Sequence, residues 1–165
     1  MITRLYIRNY GIIREHEITF GPGLTVITGE TGAGKSILLG ALGLISGERA
    51  DVQVLFDPAD KCVVEAEFQL QNQELNEWLL AEGFDTDAQV IVRREIAANG
   101  KSRAFINDSP AAVQQLRDLS DWLIDISGQH ESREMNTVRF QLAFLDTLSG
   151  CSELSDQYQR LFLQR

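Results

Sequence analysis

The sequence predicts an α/β fold of the P-loop class with an added antiparallel β-subdomain, and three observations carry this prediction. First, the octet Gly29–Ser36 fits the phosphate-binding pattern G-x-x-x-x-G-K-[ST]. Second, it lies between Leu24–Thr28, an apolar and β-branched run typical of a buried parallel strand, and Ile37–Ile45, a run typical of a buried helix. Third, Asn99-Gly100 separates two apolar segments, which is the strongest short signal for a β-hairpin.

The strands are predicted from short apolar runs and from the alternation of apolar and polar side chains. In the segment after Lys61, for example, Val64 and Ala66 alternate with Glu65 and Glu67. The predicted strands, in chain order, are Ile2–Asn9, Ile12–Phe20, Leu24–Thr28, Val63–Leu70, Val90–Ala97, Ser102–Asn107 and Trp122–Ser127.

Helices are predicted from capping residues and from apolar residues at spacings of three and four. We expect Gly47 to end the helix that follows the octet. Asn72 is a good N-cap for a helix that runs to about Glu82. Ser109-Pro110 is typical of an N-cap and first helical position, for a helix that runs to about Leu119.

Two further helices are predicted near the C-terminal end. Thr137–Ser149 has an apolar face that we expect to be buried, namely Val138, Leu142, Leu145 and Leu148, and Gly150 follows it. In Ser152–Arg165 the residues Leu154, Tyr158 and Leu161 form the stripe of a coiled coil, or of an ordinary C-terminal helix. No cap or breaker follows this stripe, so we expect a piece of a longer protein, with residues 1–150 as one lobe and 151–165 as the start of a coiled-coil helix.

The composition is that of a soluble globular protein. The chain has 165 residues, of which 44% are hydrophobic and 24% are charged. Its net charge of −9 argues against strong general DNA binding, which depends on Lys and Arg. No apolar run approaches the roughly 20 residues of a membrane span, and neither a signal peptide nor a disulfide framework is indicated. We expect a reduced, cytosolic protein.

The octet has the residue types that bind a nucleoside triphosphate. Glycines at 29, 32 and 34 allow close backbone approach, and successive N–H groups make an anion-binding nest. Lys35 is expected to reach the β- and γ-phosphates, and the Ser36 hydroxyl to bind Mg²⁺. The candidate ATP-binding residues are Gly29, Glu30, Thr31, Gly32, Ala33, Gly34, Lys35 and Ser36.

A second acid for the Mg²⁺ shell is not evident. Asp125, at the end of Trp122-Leu123-Ile124, is a weak candidate because Ile126 rather than a glutamate follows it, and Asp146 lies mid-helix by periodicity. Gln129 could place its amide oxygen on Mg²⁺ or on the attacking water, although a loop glutamine is usually a solvated surface residue.

The chain resembles the N-terminal head segment of the RecN family of bacterial DNA repair proteins, in the SMC-like branch of ABC-type ATPases. The resemblance covers most of the chain. It is carried by the segments 5–13, 24–36, 41–44 and 47–50, by Ser102–Asn107, and by Gly128-Gln129-His130.

This resemblance implies specific roles. Gln129 would be the Q-loop glutamine that touches Mg²⁺ and senses the γ-phosphate, so Lys35 and Gln129 are the implied catalytic residues. The segment around Asn9-Tyr10 would lie near the nucleotide base. Arg49 is a candidate to reach the active site or DNA, or is a solvated cation at the helix end.

The resemblance also implies partners. In this family a coiled coil follows the N-terminal lobe, and a C-terminal lobe supplies the signature motif, Walker B and the switch histidine, none of which this sequence contains. The expected partners are that C-terminal lobe, a second head that joins as a homodimer on ATP binding, and DNA, in a cytoplasmic and nucleoid-associated protein without a membrane role. ATP turnover by the chain alone is expected to be absent or very weak.

Three other functions remain open on the residues alone: a self-contained P-loop kinase, an ABC transporter nucleotide-binding subunit, and a non-catalytic lobe that binds nucleotide only to organise a partner. A kinase would need an arginine-rich lid, and a transporter subunit would need a much earlier Q-loop. Arg93, Arg94, Lys101 and Arg103 cluster on the predicted hairpin as DNA contacts or as solvated cations, with Arg93 and Arg94 on opposite faces.

Overall fold

A computed structural model of the chain describes residues 1–28, 33–49, 51–69, 72–126 and 138–150, together with 154, 158 and 162. The chain divides into two compact units, Met1–Asp125 and Ile126–Arg165. The first contains β1 (Ile2–Tyr10), β2 (Ile13–Thr19), α1 (Ala33–Ile45), β3 (Cys62–Gln69), α2 (Gln73–Ala81), β4 (Gln89–Ile96), β5 (Ser102–Ile106), β6 (Ser109–Ala111) and α3 (Val113–Leu123). The second contains α4 (Val138–Leu148).

The first unit is built on a six-stranded sheet with the order β2-β1-β3-β4-β5-β6, and every neighbouring pair is antiparallel. This confirms the predicted antiparallel β-subdomain. Because side chains alternate along each strand, one face of the sheet is apolar and the other is charged. The helix α1 contacts β1, β3 and β4. The core includes Leu5, Ile7, Val64, Ala66, Phe68, Val92, Ile96 and Ile106 from the sheet and Ala41, Leu44, Leu75, Leu79, Leu116 and Leu119 from the helices.

The hairpin signal at Asn99-Gly100 is confirmed. Ser102 pairs with Ile96 across β4 and β5, and Gly100 adopts a positive φ of +79°. The Gly100 N–H donates to the carbonyl of Ala97, whose own N–H donates to Lys101. This is a three-residue loop in which the glycine takes the left-handed position.

The segment Leu24–Thr28 was predicted to be a buried strand, and this prediction is wrong for the chain as it stands. The segment belongs to no strand, and Leu24 is 91% exposed and Val26 71% exposed. A parallel strand is buried only between neighbouring strands and under covering helices. The six described strands of the sheet pair only with one another, so this segment has no neighbour to bury it.

The prediction that Ser109-Pro110 begins a helix is also wrong. Asn107 and Asp108 both adopt positive φ, which makes the two-residue turn of a further hairpin, and Ser109–Ala111 form its outer strand. Pro110 is tolerated there because an edge strand leaves one side of its backbone unpaired. The helix α3 starts later, at Val113, with Ala112 as its N-cap.

The strand predicted at Trp122–Ser127 is absent over the described residues 122–126, where the end of α3 takes its place. Leu123 lies four residues after the buried Leu119, so the apolar run continues the buried side of the helix. Ile124 is the C-cap, and the exposed Asp125 follows it outside any strand. Asp125 therefore lacks the strand end that a Walker B acid requires.

In the second unit, α4 confirms the predicted helix, and Gly150 follows it with a φ of +68°. The inward face predicted for this helix is wrong at Leu142, Leu145 and Leu148, which are all more than half exposed, and the burial of Val138 lies outside what the structure describes. Apolar periodicity predicts that a helix has a face to bury, but the partner that buries it must come from elsewhere. No described helix is long and apolar enough to cross a membrane.

Gly47 ends α1 through a close contact as well as through its backbone conformation. Its φ is +85°, and the N–H of Glu48 bonds back to the carbonyl of Gly43, as in a Schellman motif. A Cβ at Gly47 would lie 2.5 Å from Cγ of Arg117 and 3.1 Å from the carbonyl oxygen of Val113. The glycine therefore allows α1 and α3 to pack closely.

Replacing Gly47 with alanine should lower the free energy of unfolding by about 2 kcal/mol, because strain at positive φ adds to the clash with Arg117. Gly83 is the matched control, since its φ is +83° but a Cβ there would meet no atom of the described residues within 4 Å. Gly83→Ala should lower the free energy of unfolding by only about 1 kcal/mol. Urea unfolding followed by tryptophan fluorescence measures both, and equal losses would show that the Arg117 contact adds nothing.

Candidate nucleotide-binding site

Lys35 and Ser36 lie in the first turn of α1, and both side chains are exposed. Among the described residues no atom would lie within 4 Å of a Cβ on Gly34, so this part of the chain leaves the space beside the glycine open. The first N–H groups of a helix have no partner inside it, and the helix dipole is positive at this end. A cation, a hydroxyl and free N–H groups therefore favour a phosphate in front of this turn, and an exposed hydroxyl beside it fits a phosphate-bound Mg²⁺.

Other residues of the predicted site lie outside the described part of the chain. These are Gly29, Glu30, Thr31, Gly32 and Gln129, while Ala33 is described only as the first residue of α1. The structure thus brings together Gly34, Lys35 and Ser36. The contacts expected for the remaining loop residues and for Gln129 stay predictions.

The turn between β1 and β2 packs directly on the beginning of α1. Gly11 has a φ of +59°, and a Cβ there would be only 3.2 Å from the Ile37 side chain, which follows Ser36 in the chain. The hydroxyl of Tyr10 lies against Gly40, one turn further along the helix. The β1–β2 turn is therefore a wall next to the P-loop end of α1.

Asn9 joins this turn to the segment that follows α1. Its side chain is buried, and its Nδ2 donates to the carbonyl oxygens of Asp57 at 3.0 Å and Asp60 at 2.9 Å. Its Oδ1 accepts a hydrogen bond from the N–H of Asp57 at 2.6 Å. Because its polar atoms are used in this way, Asn9 is not free to contact a base, and Tyr10 is also buried.

Asp60 is fixed by two hydrogen bonds to its carboxylate. The N–H of Lys61 donates to it, and Arg8 donates at 2.6 Å. These bonds, first that of Lys61 and then that of Arg8, lower the pKa of Asp60. These two hydrogen bonds and those of Asn9 fix the loop that follows α1. The sequence indicates this only by an asparagine at the end of a predicted strand.

The C-terminal end of α1 is held by a polar contact that the sequence did not reveal. The Nε of Arg117 donates to the carbonyl of Gly47 at 3.0 Å, which suits a cation at a helix C-terminus.

Arg94 is 3% exposed and donates through Nε to Ser102 at 2.7 Å. Burial, and then the charge of Arg117, lowers the pKa of Arg94.

The four hairpin cations differ in exposure: Arg93 and Arg94 have partners within the sheet, whereas Lys101 and Arg103 are exposed. Arg93 lies on the charged face, over the ring of Phe105 at 4.6 Å and 3.0 Å from a carboxylate oxygen of Asp108. Arg94 lies on the opposite, buried face, as the alternation predicted. Lys101 and Arg103 are exposed, and so is Arg49 after α1, so these three can meet a large anionic partner.

The fold, with a lysine and a serine in the first turn of α1, is that of the P-loop class as it occurs in SMC head domains. An SMC head domain with an extended coiled coil, derived from Pyrococcus furiosus, matches 99% of this chain and 45% of its own length with a TM-score of 0.66 and 20% identity. The SMC head domain from Thermotoga maritima matches 71% of this chain and 41% of its own length with a TM-score of 0.55 and 24% identity. The predicted fold class is therefore confirmed.

The AAA domain family matches residues 4–162, and the chain belongs to this family. DNA repair protein RecN of Xylella fastidiosa (strain Temecula1) is 42% identical over 97% of this chain, and RecN of Bacillus subtilis is 36% identical over 91%. The chain spans 29% and 26% of the length of these two relatives. The resemblance to the RecN family is thereby confirmed.

Proposed function

We propose that this chain is the ATP-binding part of an SMC-like ATPase head that acts in the repair of DNA double-strand breaks. The observation that carries the proposal is the exposed pair Lys35 and Ser36 at the N-terminus of α1, in a chain similar to RecN proteins along most of its length. None of the relatives and structures named above is a small-molecule kinase or a transporter subunit.

The site residues take distinct roles in this proposal. The backbone from Gly29 to Ser36 holds the phosphates of ATP, and Lys35 neutralises their charge. Ser36 and Gln129 hold Mg²⁺, and Gln129 also responds to the γ-phosphate. Bound Mg²⁺-ATP supplies the phosphoanhydride bond that is hydrolysed. The sheet packs against α1, and α3 packs against the C-terminal end of α1 at Gly47.

The first proposed partner is a second lobe of the same protein. Leu24, Val26 and Ile27 form an exposed apolar segment that directly precedes the Gly29–Ser36 motif in the chain, and such segments in soluble proteins mark contact surfaces. The RecN relatives are more than three times as long as this chain. A lobe supplied by such a longer protein would provide the neighbouring strands that the segment lacks.

The other proposed partners are a second head and DNA. A similar structure, with a TM-score of 0.62 over 87% of this chain, comes from work on ATP-driven dimerisation and DNA-stimulated activation of SMC ATPases. We therefore propose that ATP binding favours a head dimer, which is a shift between two populated states. The exposed Arg49, Lys101 and Arg103 are the candidate DNA contacts.

The domain arrangement is also part of the proposal. Residues 1–150 would be the N-terminal lobe, and 151–165 would begin a coiled-coil helix. Leu154, Tyr158 and Phe162 are helical, exposed and four residues apart, and the rings of the last two lie 6.1 Å apart. Phe162 thus joins the predicted stripe, while Leu161 lies outside the described residues. A cytoplasmic, nucleoid-associated location follows from the proposed role.

The test is Mg²⁺-ATP turnover by this chain, alone and mixed with a separately produced C-terminal head segment. We expect very little turnover alone and clear turnover on mixing. A Gln129→Ala chain should still bind ATP but give a mixture with slower turnover. Strong turnover by the chain alone would contradict the proposal, because it would mean that the chain contains a complete site.

A further inference from the structure

Asn99 differs from the other asparagines of the chain in the residue that follows it. The chain has six asparagines, and only Asn99 precedes a glycine. Because glycine has no Cβ, the backbone nitrogen of Gly100 can come close to Cγ, the carbon of the Asn99 side-chain amide. Both residues are exposed in the β4–β5 loop, so water and hydroxide have access to this amide.

The side chain of Asn99 is folded toward the backbone that follows it. Its Oδ1 accepts a hydrogen bond from the N–H of Lys101 at 3.1 Å, which makes an Asx turn. This bond holds the side-chain amide over the peptide unit that joins Asn99 to Gly100. The same N–H would stabilise negative charge on Oδ1, as a donor of an oxyanion hole does. The loop therefore both positions Cγ and activates it toward attack by the Gly100 nitrogen.

One hydrogen bond opposes this attack. The N–H of Gly100 donates to the carbonyl of Ala97 at 2.9 Å, and it must leave that carbonyl before the nitrogen can react. Among the described residues, a Cβ on Gly100 would meet only the Val52 side chain, at 3.5 Å, so little packs on the loop. Exposed loops open at low cost. The loss of one hydrogen bond should slow the attack by no more than about tenfold.

We infer that Asn99 is a site of spontaneous modification, at which the Gly100 nitrogen attacks Cγ and the side-chain amide leaves as ammonia. The Gly100 nitrogen gives its proton to hydroxide and bonds to Cγ. The bond between Cγ and Nδ2 then breaks, and Nδ2 takes a proton from water, which restores the hydroxide. The product is a five-membered succinimide ring. This inference does not depend on the proposed nucleotide site.

Water opens the ring in two ways. Cleavage of the bond from the Gly100 nitrogen to Cγ gives an aspartate, and cleavage of its bond to the backbone carbonyl carbon gives an isoaspartate. Either product makes the formal net charge of −9 one unit more negative, beside the exposed Lys101 and Arg103. The aspartate keeps an acceptor for the Lys101 N–H. The isoaspartate adds a methylene to the main chain, so the loop can no longer close with Ala97 bonded to Lys101.

The test follows the mass of the whole chain during incubation in neutral buffer, with digestion to locate the change. The peptide that contains Asn99 should gain close to one dalton and give two products of equal mass, which chromatography separates. The folded chain should react within about tenfold of the rate of a chain unfolded in guanidinium chloride. Asn107 is the internal control, since it lies in another hairpin turn but precedes Asp108, and its amide is bonded to the backbone of Ile91 and Asp85. Asn107 should stay intact.

Two variants decide whether the Gly100 nitrogen is the attacking group. Gly100→Ala places a Cβ beside this nitrogen, and Asn99→Gln keeps the amide but requires a six-membered ring, so each should lose the mass gain. If Gly100→Ala does not fold because of its φ of +79°, Asn99→Gln decides alone. The inference is wrong if a folded variant gains mass at this peptide as fast as the unaltered chain, or if Asn99 stays intact in the folded chain while the unfolded chain reacts. Aspartate as the only product would also contradict it, because direct hydrolysis by water gives aspartate alone.

Discussion

Lys35→Ala is expected to weaken ATP binding by about 100-fold, the largest effect of any single substitution in the site. Lys35 is an exposed cation in the first turn of α1. A hydrogen bond to a charged group contributes about 1.5–3 kcal/mol, and each 1.4 kcal/mol is tenfold in affinity. Calorimetric titration of the chain with ATP in the presence of Mg²⁺ measures the change in affinity directly.

Lys101→Ala is the control for this prediction. Lys101 is also exposed but lies on the β4–β5 hairpin, so its substitution removes the same charge at another place. It should change ATP affinity by less than about twofold, because an exposed charge that does not touch the ligand is screened by water and salt. Normal ATP binding by Lys35→Ala would show that the P-loop assignment is wrong.

The second large effect is expected on stability: Asn9→Ala should lower the free energy of unfolding by about 3 kcal/mol. Asn9 is 4% exposed, and its three hydrogen bonds to the backbone of Asp57 and Asp60 would be lost inside the protein. Unsatisfied buried groups cost about 1–3 kcal/mol, and alanine at the φ of +56° adds about 1 kcal/mol. Urea unfolding measures the loss.

Two further variants separate these causes. Asn9→Gly keeps the left-handed backbone and should lose only the hydrogen-bond part, about 2 kcal/mol. Asn99→Ala, at an exposed asparagine of the β4–β5 loop whose Oδ1 accepts one hydrogen bond from the N–H of Lys101, should lower the free energy of unfolding by less than about 1 kcal/mol. If Asn9→Ala is as stable as the unaltered chain but binds ATP poorly, Asn9 is a base contact rather than a structural residue.

The charged residues of the sheet show how much of the structure the alternation of side chains can predict. Alternation alone placed Arg93 and Arg94 on opposite faces, and the structure agrees. Alternation did not show that Arg94 would be buried with Ser102 or that Arg93 would be paired with Asp108. Those partners lie on other strands and turns, so the number of cations left unpaired on the surface depended on the tertiary structure.

What the sequence determined by itself is local. The Gly29–Ser36 motif, the Asn72 cap, the Asn99-Gly100 hairpin and the glycine at 47 each depend on backbone geometry within a few residues. Period-two alternation likewise identified most strands of the antiparallel sheet, since neighbouring residues on a strand must face opposite sides.

Only the tertiary structure decided which apolar segments are buried. Leu24–Thr28 has the composition of an inner strand, yet it is exposed because no described strand lies beside it. Trp122-Leu123 has the composition of a strand, yet it ends α3 because Leu116 and Leu119 give it a helical face to continue. A segment is stabilised by burial only when partners distant in the chain cover it. The pattern of apolar residues within the segment does not show whether those partners are present.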